Sequence, residues 1–306
     1  MSTKKENVLV TGGAGFIGSH LVDELAKLGH PVLVIDDLST GKVKNLNKKA
    51  KFIKLDLGSA RAAQILRPAL RGIDYVFHLA TIPRLQYCRE HPLKCHSSNV
   101  TGTLNLLNAS ANNNNQIRKF IQISTCMVYG NTDHLTISED ESKRPKTMYG
   151  TQKYVQELYV NAYAQLYGLP SVILRYFGVY GTKRHSESGS YHNVTAAFSR
   201  DKRTKNKIII YGDGQQSRDF VHVFDVVMAT MTAMKSRFKN AEIFNVGTGK
   251  PVTINKIARY YKCSIEYKQA RPDDIRYCTA NIDKIKKLLK WEPKISFAEG
   301  MKGYLK

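Results

Sequence analysis

One stretch near the start of the chain, residues 8–20 with the sequence VLVTGGAGFIGSH, constrains the fold more than any other. A β-branched apolar run at 8–10 leads into a glycine-rich segment, after which apolar residues recur at helical spacing up to Leu28. The pattern predicts a buried strand, a tight turn and a helix.

Three glycines in this turn have separate physical roles. Gly12 lets the chain reverse sharply, Gly15 allows the backbone to approach a pyrophosphate, and Gly18 brings the helix close to the strand. The N-terminus of the helix then presents free N–H groups to the phosphates. We therefore expect the turn to hold a dinucleotide.

The next predicted strand, residues 32–35, ends at Asp36 and Asp37. A carboxylate at this place accepts hydrogen bonds from the adenosine ribose and disfavours a 2′-phosphate, so NAD is the expected cofactor. A glycine turn without a ligand is the alternative. It is disfavoured because strand, turn, helix, strand and acid follow one another in this order.

The chain of 306 residues is long enough for one large domain or two unequal ones. No apolar run approaches a membrane span of roughly 18 residues, and the first residues, MSTKKEN, lack the apolar core of a signal peptide. We therefore expect a cytoplasmic protein without a membrane partner. The five cysteines have no C-x-x-C spacing and the histidines no metal-ligand spacing, which predicts free thiols and no metal site.

The net charge of +22 is unusually high, with basic clusters at 42–54, 200–207 and 284–294, so nucleic-acid binding must be considered. These clusters contain few aromatic residues that could stack on bases, and lysine is spread along the whole chain. We therefore do not expect nucleic acid as a partner. A solvated basic surface and anionic small substrates are favoured.

Strands and helices alternate along the first half of the chain. Further strands are predicted at 51–55, 75–79, 119–124 and 171–176, and helices at 92–112 and 148–167, the last with Gly168 as its C-cap. This alternation predicts an α/β fold with a doubly wound parallel sheet of the Rossmann type. The ligand should lie outside the carboxyl ends of these strands, where Asp56, Ala80 and Tyr176 would join the glycine turn.

Beyond residue 177 the pattern loosens into polar and basic segments, which predicts a smaller mixed α/β lobe that covers the cleft. Residues 218–227 and 243–247 are expected to return to the main sheet. The predicted NAD-binding Rossmann domain therefore comprises 1–177 and 218–250, and the predicted substrate-binding lobe comprises 178–217 and 251–306.

Tyr149 and Lys153 stand four residues apart on one predicted helix, so both side chains project from the same face. A free tyrosine has a pKa of about 10 and is a poor base at neutral pH, but a nearby ammonium and a cationic nicotinamide favour its phenolate. Tyr149 could then take a proton from a substrate hydroxyl. Thr125, which follows a predicted strand, could hold that hydroxyl or relay its proton.

The spacing G-x-x-G-x-x-G, the segment STCMVYG and the pattern Tyr-x-x-x-Lys occur here in the order typical of one superfamily. The sequence resembles the extended short-chain dehydrogenases/reductases, and within them the nucleotide-sugar enzymes, most closely the UDP-sugar 4-epimerases. The likeness runs from Val8 to about Phe297 and includes RYFGVYG at 175–181, IYGDGQQSRDFVHV at 210–223, FNVGTG at 244–249 and RPDDIR at 271–276.

The resemblance implies a set of residues for each ligand, and a homodimer formed through the helices at 92–112 and 148–167. The implied catalytic residues are Thr125, Tyr149 and Lys153. The implied NAD contacts are Gly12, Gly15, Phe16, Ile17, Gly18, Asp36, Asp37, Asp56, Leu57, Leu79, Ala80, Thr81, Asn99, Tyr149, Lys153 and Tyr176. The implied UDP-sugar contacts are Thr125, Asn193, Tyr211, Arg218, Arg271, Asp274 and Cys278, with the two arginines on the diphosphate.

The resemblance also implies a reaction. Tyr149 would remove the proton of the sugar 4-hydroxyl while the C4 hydride passes to NAD, which leaves a 4-keto sugar. The ketone would rotate and take the hydride back on its other face, so NAD is regenerated and stays tightly held. UDP-glucose and UDP-galactose are the implied substrates. Their N-acetyl forms are included because Cys278 is small at a place where the family varies residue size beside the sugar C2 substituent.

Three departures from the family pattern bear on the reaction. Gly178 replaces the asparagine of R-Y-F-N, residues 82–89 read IPRLQYCR instead of a serine-rich version, and Cys126 and Met127 follow Thr125. Related 4,6-dehydratases carry Asp-Glu at this last place and decarboxylases usually keep the Glu, whereas methionine cannot move protons. Dehydration or decarboxylation is therefore the alternative reaction. A non-catalytic NAD-binding regulator or an RNA-binding protein is the alternative of another class.

Overall fold

The structure is a computed structural model that describes residues 5–111, 117–132, 134–182, 184, 194–270 and 276–305. The strands are β1 (Val8–Thr11), β2 (Val32–Asp36), β3 (Lys51–Lys54), β4 (Tyr75–His78), β5 (Lys119–Thr125), β6 (Ser171–Tyr176), β7 (Gly178–Tyr180), β8 (Lys207–Tyr211), β9 (Ser217–His222), β10 (Asn240–Val246), β11 (Pro251–Thr253), β12 (Ser264–Lys268) and β13 (Tyr277–Cys278). The helices are α1 (Phe16–Lys27), α2 (Ala62–Ala69), α3 (Leu85–Glu90), α4 (Pro92–His96), α5 (Gly102–Ala111), α6 (Met148–Tyr167), α7 (Val194–Lys205), α8 (Val223–Met234), α9 (Ile254–Arg259), α10 (Asp283–Leu289) and α11 (Phe297–Tyr304).

The main sheet contains seven parallel strands in the order β10-β6-β5-β4-β1-β2-β3. Its central strands are apolar and buried because helices cover both faces. Apolar side chains of α1 and α8, such as Leu21 and Val226, pack on one face, and those of α2, α5 and α6, such as Leu66 and Val160, pack on the other. The predicted α/β fold with a doubly wound parallel sheet is therefore confirmed.

The long helix α6 has the predicted bounds and the predicted C-cap. Thr147 caps its start by accepting a hydrogen bond from the backbone N–H of Gly150 at 3.0 Å. Gly168 ends it with a φ of +63°, and its N–H donates to the carbonyl of Tyr163. The helix predicted at 92–112 is instead divided, because a π-helical turn at Ser97–Thr101 separates α4 from α5.

The expectation that residues 218–227 return to the main sheet is correct only for their second half. Helix α8 packs on that sheet, but β9 belongs to a separate sheet, where it pairs with β7, β11 and β13. Hydrogen bonds to the side chain of Asp219 fix this arrangement, because its carboxylate accepts from the backbone N–H groups of Thr248, Gly249 and Ala280. An apolar strand pattern does not specify which sheet the strand joins.

The remaining elements form a smaller core of their own. Strands β8 and β12 pair in parallel, and α7, α9 and α11 pack around Ile208, Ile257 and Met301. The five cysteines are free thiols. No helix within the described residues is both long and apolar enough to cross a membrane.

Candidate active site

A cleft of about 1060 Å³, including the part open to solvent, lies at the carboxyl ends of the central strands. It brings together most of the predicted site: Gly12, Gly15, Phe16, Ile17, Gly18, Asp36, Asp37, Leu57, Leu79, Ala80, Thr81, Thr125, Tyr149, Lys153 and Tyr176. Sequence reasoning missed a further group of lining residues: Ile35, Ser39, Thr40, Leu55, Pro83, Ser98, Ile123 and Ser124. Half of these, Ile35, Leu55, Ser98 and Ser124, directly adjoin a predicted residue, and for them that adjacency was the available signal.

The glycine turn is built for close approach. Gly12 has a φ of +72°, and a Cβ there would lie 2.7 Å from the backbone nitrogen of Ala80. A Cβ on Gly18 would lie 2.2 Å from the carbonyl oxygen of Gly12, so only glycine lets α1 start this close to the turn. The backbone at the start of α1 therefore borders the cleft without side chains in between.

Asp36 is fixed where β2 ends. One carboxylate oxygen accepts from the backbone N–H of Ala14 at 2.9 Å, and the other from that of Leu38 at 2.8 Å. Burial raises the pKa of Asp36, and these two hydrogen bonds oppose the increase. A backbone cradle and a fixed carboxylate one strand apart fit the pyrophosphate and the adenosine ribose of NAD.

Lys153 is almost fully buried, with 2% of its surface exposed. Its Nζ donates to Oε1 of Gln156 at 2.8 Å. Burial lowers the pKa of Lys153 to about 7, against a smaller opposing effect of the Glu157 carboxylate. The proton occupancy of this lysine therefore changes near neutral pH.

Tyr149 and Thr125 reach the cleft from two different elements. Tyr149 lies in the first turn of α6, one turn before Lys153, and Thr125 ends β5. The Thr125 side chain accepts a hydrogen bond from the backbone N–H of Met127 at 3.3 Å, which caps a short 3-10 turn. A hydroxyl and a phenol thus border one space beside a buried amine.

His78 lies under the cleft and is held neutral. Its ring nitrogens hydrogen-bond the hydroxyls of Thr11 and Thr103 at 2.7 and 2.8 Å. Burial, with a smaller contribution from Lys153, lowers the pKa of His78 to about 3. Among the residues that the structure describes, no cluster of His, Cys, Asp and Glu could hold a metal ion.

Two predicted NAD contacts do not line the cleft. Asn99 is fully buried, and its Oδ1 accepts from the backbone N–H of Ile82 at 2.7 Å and from the hydroxyl of Thr81 at 3.0 Å. It therefore supports the loop that lines the cleft. Asp56 pairs instead with Lys94, whose Nζ lies 3.1 Å from its carboxylate.

Three predicted sugar-nucleotide contacts lie among the described residues outside the cleft lining. The thiols of Cys278 and Cys126 share a hydrogen bond, which raises the pKa of Cys278 and lowers that of Cys126, and Arg218 acts electrostatically on both. Cys278 and Arg218 therefore lie close to the residue after Thr125. Tyr211 ends β8, and its carbonyl accepts from Nε2 of Gln216. Asn193, Arg271 and Asp274 lie outside the described residues.

A family model and two named relatives match most of the chain. The model of the NAD dependent epimerase/dehydratase family matches residues 8–247. A protein named putative UDP-glucose 4-epimerase, from Methanocaldococcus jannaschii, is 36% identical over 303 residues, which are 96% of each chain. A protein named UDP-N-acetyl-alpha-D-glucosaminuronate decarboxylase, from Bacillus cytotoxicus, is 31% identical over 97% of this chain and 96% of its own.

A solved structure is similar to this chain in fold and in sequence. The UDP-glucose 4-epimerase of Thermotoga maritima, determined with UDP-glucose, superposes with a TM-score of 0.90 at 37% identity. The match covers 97% of this chain and 96% of that one.

Proposed function

Because the chain belongs to the NAD-dependent epimerase/dehydratase family, we propose that it is a UDP-sugar 4-epimerase acting on UDP-glucose and UDP-galactose and on their N-acetyl forms. One observation supports this reaction above others of the family. Thr125, Tyr149 and Lys153 share one cleft, while the two positions after Thr125 hold Cys126 and Met127, neither of which is a carboxylate. Dehydration would need such groups to move protons at C5 and C6.

NAD would be held by the glycine turn and by Asp36, and it would supply the acceptor and donor of hydride. Tyr149 takes the proton of the 4-hydroxyl and returns it, and Thr125 hydrogen-bonds the same hydroxyl. Lys153 favours the Tyr149 phenolate while it is protonated. Because the pKa of Lys153 lies at about 7, this assistance should weaken as the pH rises above neutrality.

Sugar-nucleotide binding would come from the smaller lobe together with Arg218 on the adjoining strand β9. Arg218 follows Ser217 at the start of β9, near Cys126 and Cys278, so its guanidinium would reach a diphosphate whose sugar extends toward Thr125. The small Cys278 would leave room for an acetamido group at C2. We retain residues 178–217 and 251–306 as the proposed nucleotide-sugar-binding lobe.

We also propose a homodimer that pairs α6 and the helices at 92–111 with those of a second copy. Leu93, Leu158 and Leu166 are 84%, 52% and 75% exposed on these elements, and their burial against a second copy would remove apolar surface from water. Light scattering should give twice the chain mass for the native protein. Leu166→Glu should weaken the association, and a native protein of single-chain mass would refute this.

The test of the reaction is direct. Purified protein is incubated separately with UDP-glucose, UDP-galactose, both N-acetyl forms and UDP-glucuronate, and the products are identified by NMR. The 4-epimers should form, and Tyr149→Phe should lose most turnover while it keeps UDP-sugar binding, since the change removes a proton acceptor but little shape. A 4-keto-6-deoxy sugar or released carbon dioxide would instead establish dehydration or decarboxylation, the latter in line with the Bacillus cytotoxicus relative.

A further inference from the structure

A buried carboxylate joins the elements that carry the reactive side chains. Glu157 lies on α6 one turn beyond Lys153 and is 3% exposed. Its Oε1 accepts a hydrogen bond at 2.5 Å from the hydroxyl of Ser124, the residue before Thr125 on β5. Oε1 also accepts from Nε of Arg175 on β6 at 3.0 Å, and Oε2 accepts from Nη2 of the same arginine at 2.6 Å. One side chain thus links α6 to two neighbouring strands.

Arg175 holds this carboxylate from the far side. The arginine is 1% exposed, and its Nη1 donates to the hydroxyl of Tyr129 at 2.8 Å and to the carbonyl of Glu139 at 3.1 Å. Charge-assisted, two-pronged hydrogen bonds of this kind fix direction as well as distance. A movement of α6 would therefore break hydrogen bonds between Glu157 and both strands.

We propose that Glu157 is a positioning residue, which sets the separation between Thr125 on β5 and the Tyr149–Lys153 face of α6 by binding Ser124. The inference rests on the proposed function, because it takes Thr125 and Tyr149 to share the substrate hydroxyl. Groups on two separate elements can hold one hydroxyl only if the relative position of those elements is fixed, and a misplacement of 1 Å can cost roughly 100-fold in rate.

The charge of Glu157 gives the same residue a second effect on the site. Glu157 is the carboxylate that raises the pKa of Lys153 against burial. Tyr149 shares this face of α6 and is the group on which Lys153 acts, whereas His78 on β4, whose pKa is about 3, and Gln156 on α6 are uncharged near neutrality. Removing this charge should let Lys153 lose its proton at lower pH, whereas removing the Ser124 hydroxyl should not.

Three variants separate position from charge. Ser124→Ala cuts the link and leaves the Glu157–Arg175 pair, Glu157→Asp keeps the charge but shortens the reach, and Glu157→Gln removes the charge. Ser110→Ala is the matched control, because its buried hydroxyl donates to the carbonyl of Leu106 on α5, away from the cleft.

The first measurement needs no substrate. In protein labelled with 15N-lysine, the Lys153 resonance is identified by its loss in Lys153→Met and is then titrated. Glu157→Gln should lower the Lys153 pKa by about 1 unit or more, the size of effect that a neighbouring opposite charge produces. Ser124→Ala and Glu157→Asp should leave it in place. An unshifted Lys153 in Glu157→Gln would overturn the electrostatic role.

The second measurement is the steady-state rate across pH. Ser124→Ala and Glu157→Asp should lower kcat about 10-fold, with little change in KM and with an unmoved alkaline limb. Glu157→Gln should also move that limb to lower pH. Ser110→Ala should match the native enzyme. A native kcat in Ser124→Ala would overturn the positioning role, and this test does not depend on whether Glu157→Gln folds. Native protein that is inactive on every sugar nucleotide would instead overturn the proposed function. The NMR titration would then still test the effect of Glu157 on the pKa of Lys153.

Discussion

Replacing Lys153 by methionine should stabilise the protein below pH 7 and abolish its turnover at the same time. The folded chain leaves only 2% of Lys153 exposed, at the lining of the cleft, and burial lowers its pKa to about 7. The unfolded chain leaves the same group in water, where it keeps its proton up to its ordinary pKa of 10.5. Methionine has a similar length and no charge, so it escapes the cost of burial.

The size of the effect follows from the two pKa values. Below about pH 7 both states carry the proton, and the folded state bears the whole cost of a buried charge. Between pH 7 and 10.5 the unfolded state binds more protons, so the free energy of unfolding rises with pH. The difference between 10.5 and about 7, roughly 3.5 pKa units, corresponds to at most about 5 kcal/mol.

The methionine variant loses part of this gain in the free energy of unfolding. It loses the hydrogen bond to Gln156, although Oε1 of Gln156 still accepts from Nε2 of Gln122 at 2.9 Å. Losing a hydrogen bond to a charged group costs about 1.5–3 kcal/mol. We therefore expect Lys153→Met to be more stable than the native protein by about 2–4 kcal/mol at pH 6. Because the native protein gains about 4 kcal/mol between pH 6 and pH 10, the variant should be equally stable or up to about 2 kcal/mol less stable at pH 10.

The assay is urea unfolding of nucleotide-free protein at several pH values between 6 and 10, read as the difference between variant and native protein. Other titrating groups cancel in this difference. Lys287→Met, at an exposed position on α10, should show no pH-dependent difference. A difference between Lys153→Met and native protein that does not change with pH, or a less stable variant at pH 6, would refute the reasoning.

Three further predictions concern the cofactor, the turn and the substrate. Nucleotide released by denaturing the purified protein should be NAD(H), and a majority of NADP(H) would contradict the role given to Asp36. Gly18→Ala should destabilise the protein by about 1–3 kcal/mol because its Cβ would meet the Gly12 carbonyl, whereas Gly303→Ala, with open space around it, should not. Equal melting temperatures of the two variants would disprove this. Cys278→Tyr should lose activity on the N-acetyl sugars selectively while Cys278→Ser keeps it, and equal losses of Cys278→Tyr on both substrate pairs would exclude a role at C2.

The sequence was sufficient where one local pattern determines the structure. The glycine turn requires backbone conformations and approaches that side chains forbid, as the positive φ of Gly12 shows, so its position could be predicted residue by residue. Helix α6 was equally predictable, because its cap residues Thr147 and Gly168 stand at its ends. Both features depend on neighbours along the chain.

Features that depend on distant partners were not predictable in this way. The pairing of β9 is determined by loop amides that bind Asp219, and those loops lie about 30 and 60 residues further along the chain. Asn99, which the resemblance implies as an NAD contact, is not part of the cleft lining, and its side chain accepts a hydrogen bond from the backbone of Ile82, 17 residues earlier in the chain. Nothing in the sequence marked Glu157 as the partner of Ser124.

The π-helical turn at Ser97–Thr101 has a consequence for the buried Lys153. A π turn contains one residue more than an α-helical turn and disturbs the regular ladder of backbone hydrogen bonds. The carbonyl of Asn99 within it accepts from Nε2 of Gln156 at 2.5 Å, and Oε1 of the same glutamine accepts from Lys153. The side-chain amide of Gln156 thus links the widened turn to the ammonium of Lys153. Deleting one residue of the turn would restore a regular helix and should move the Asn99 carbonyl away from Gln156.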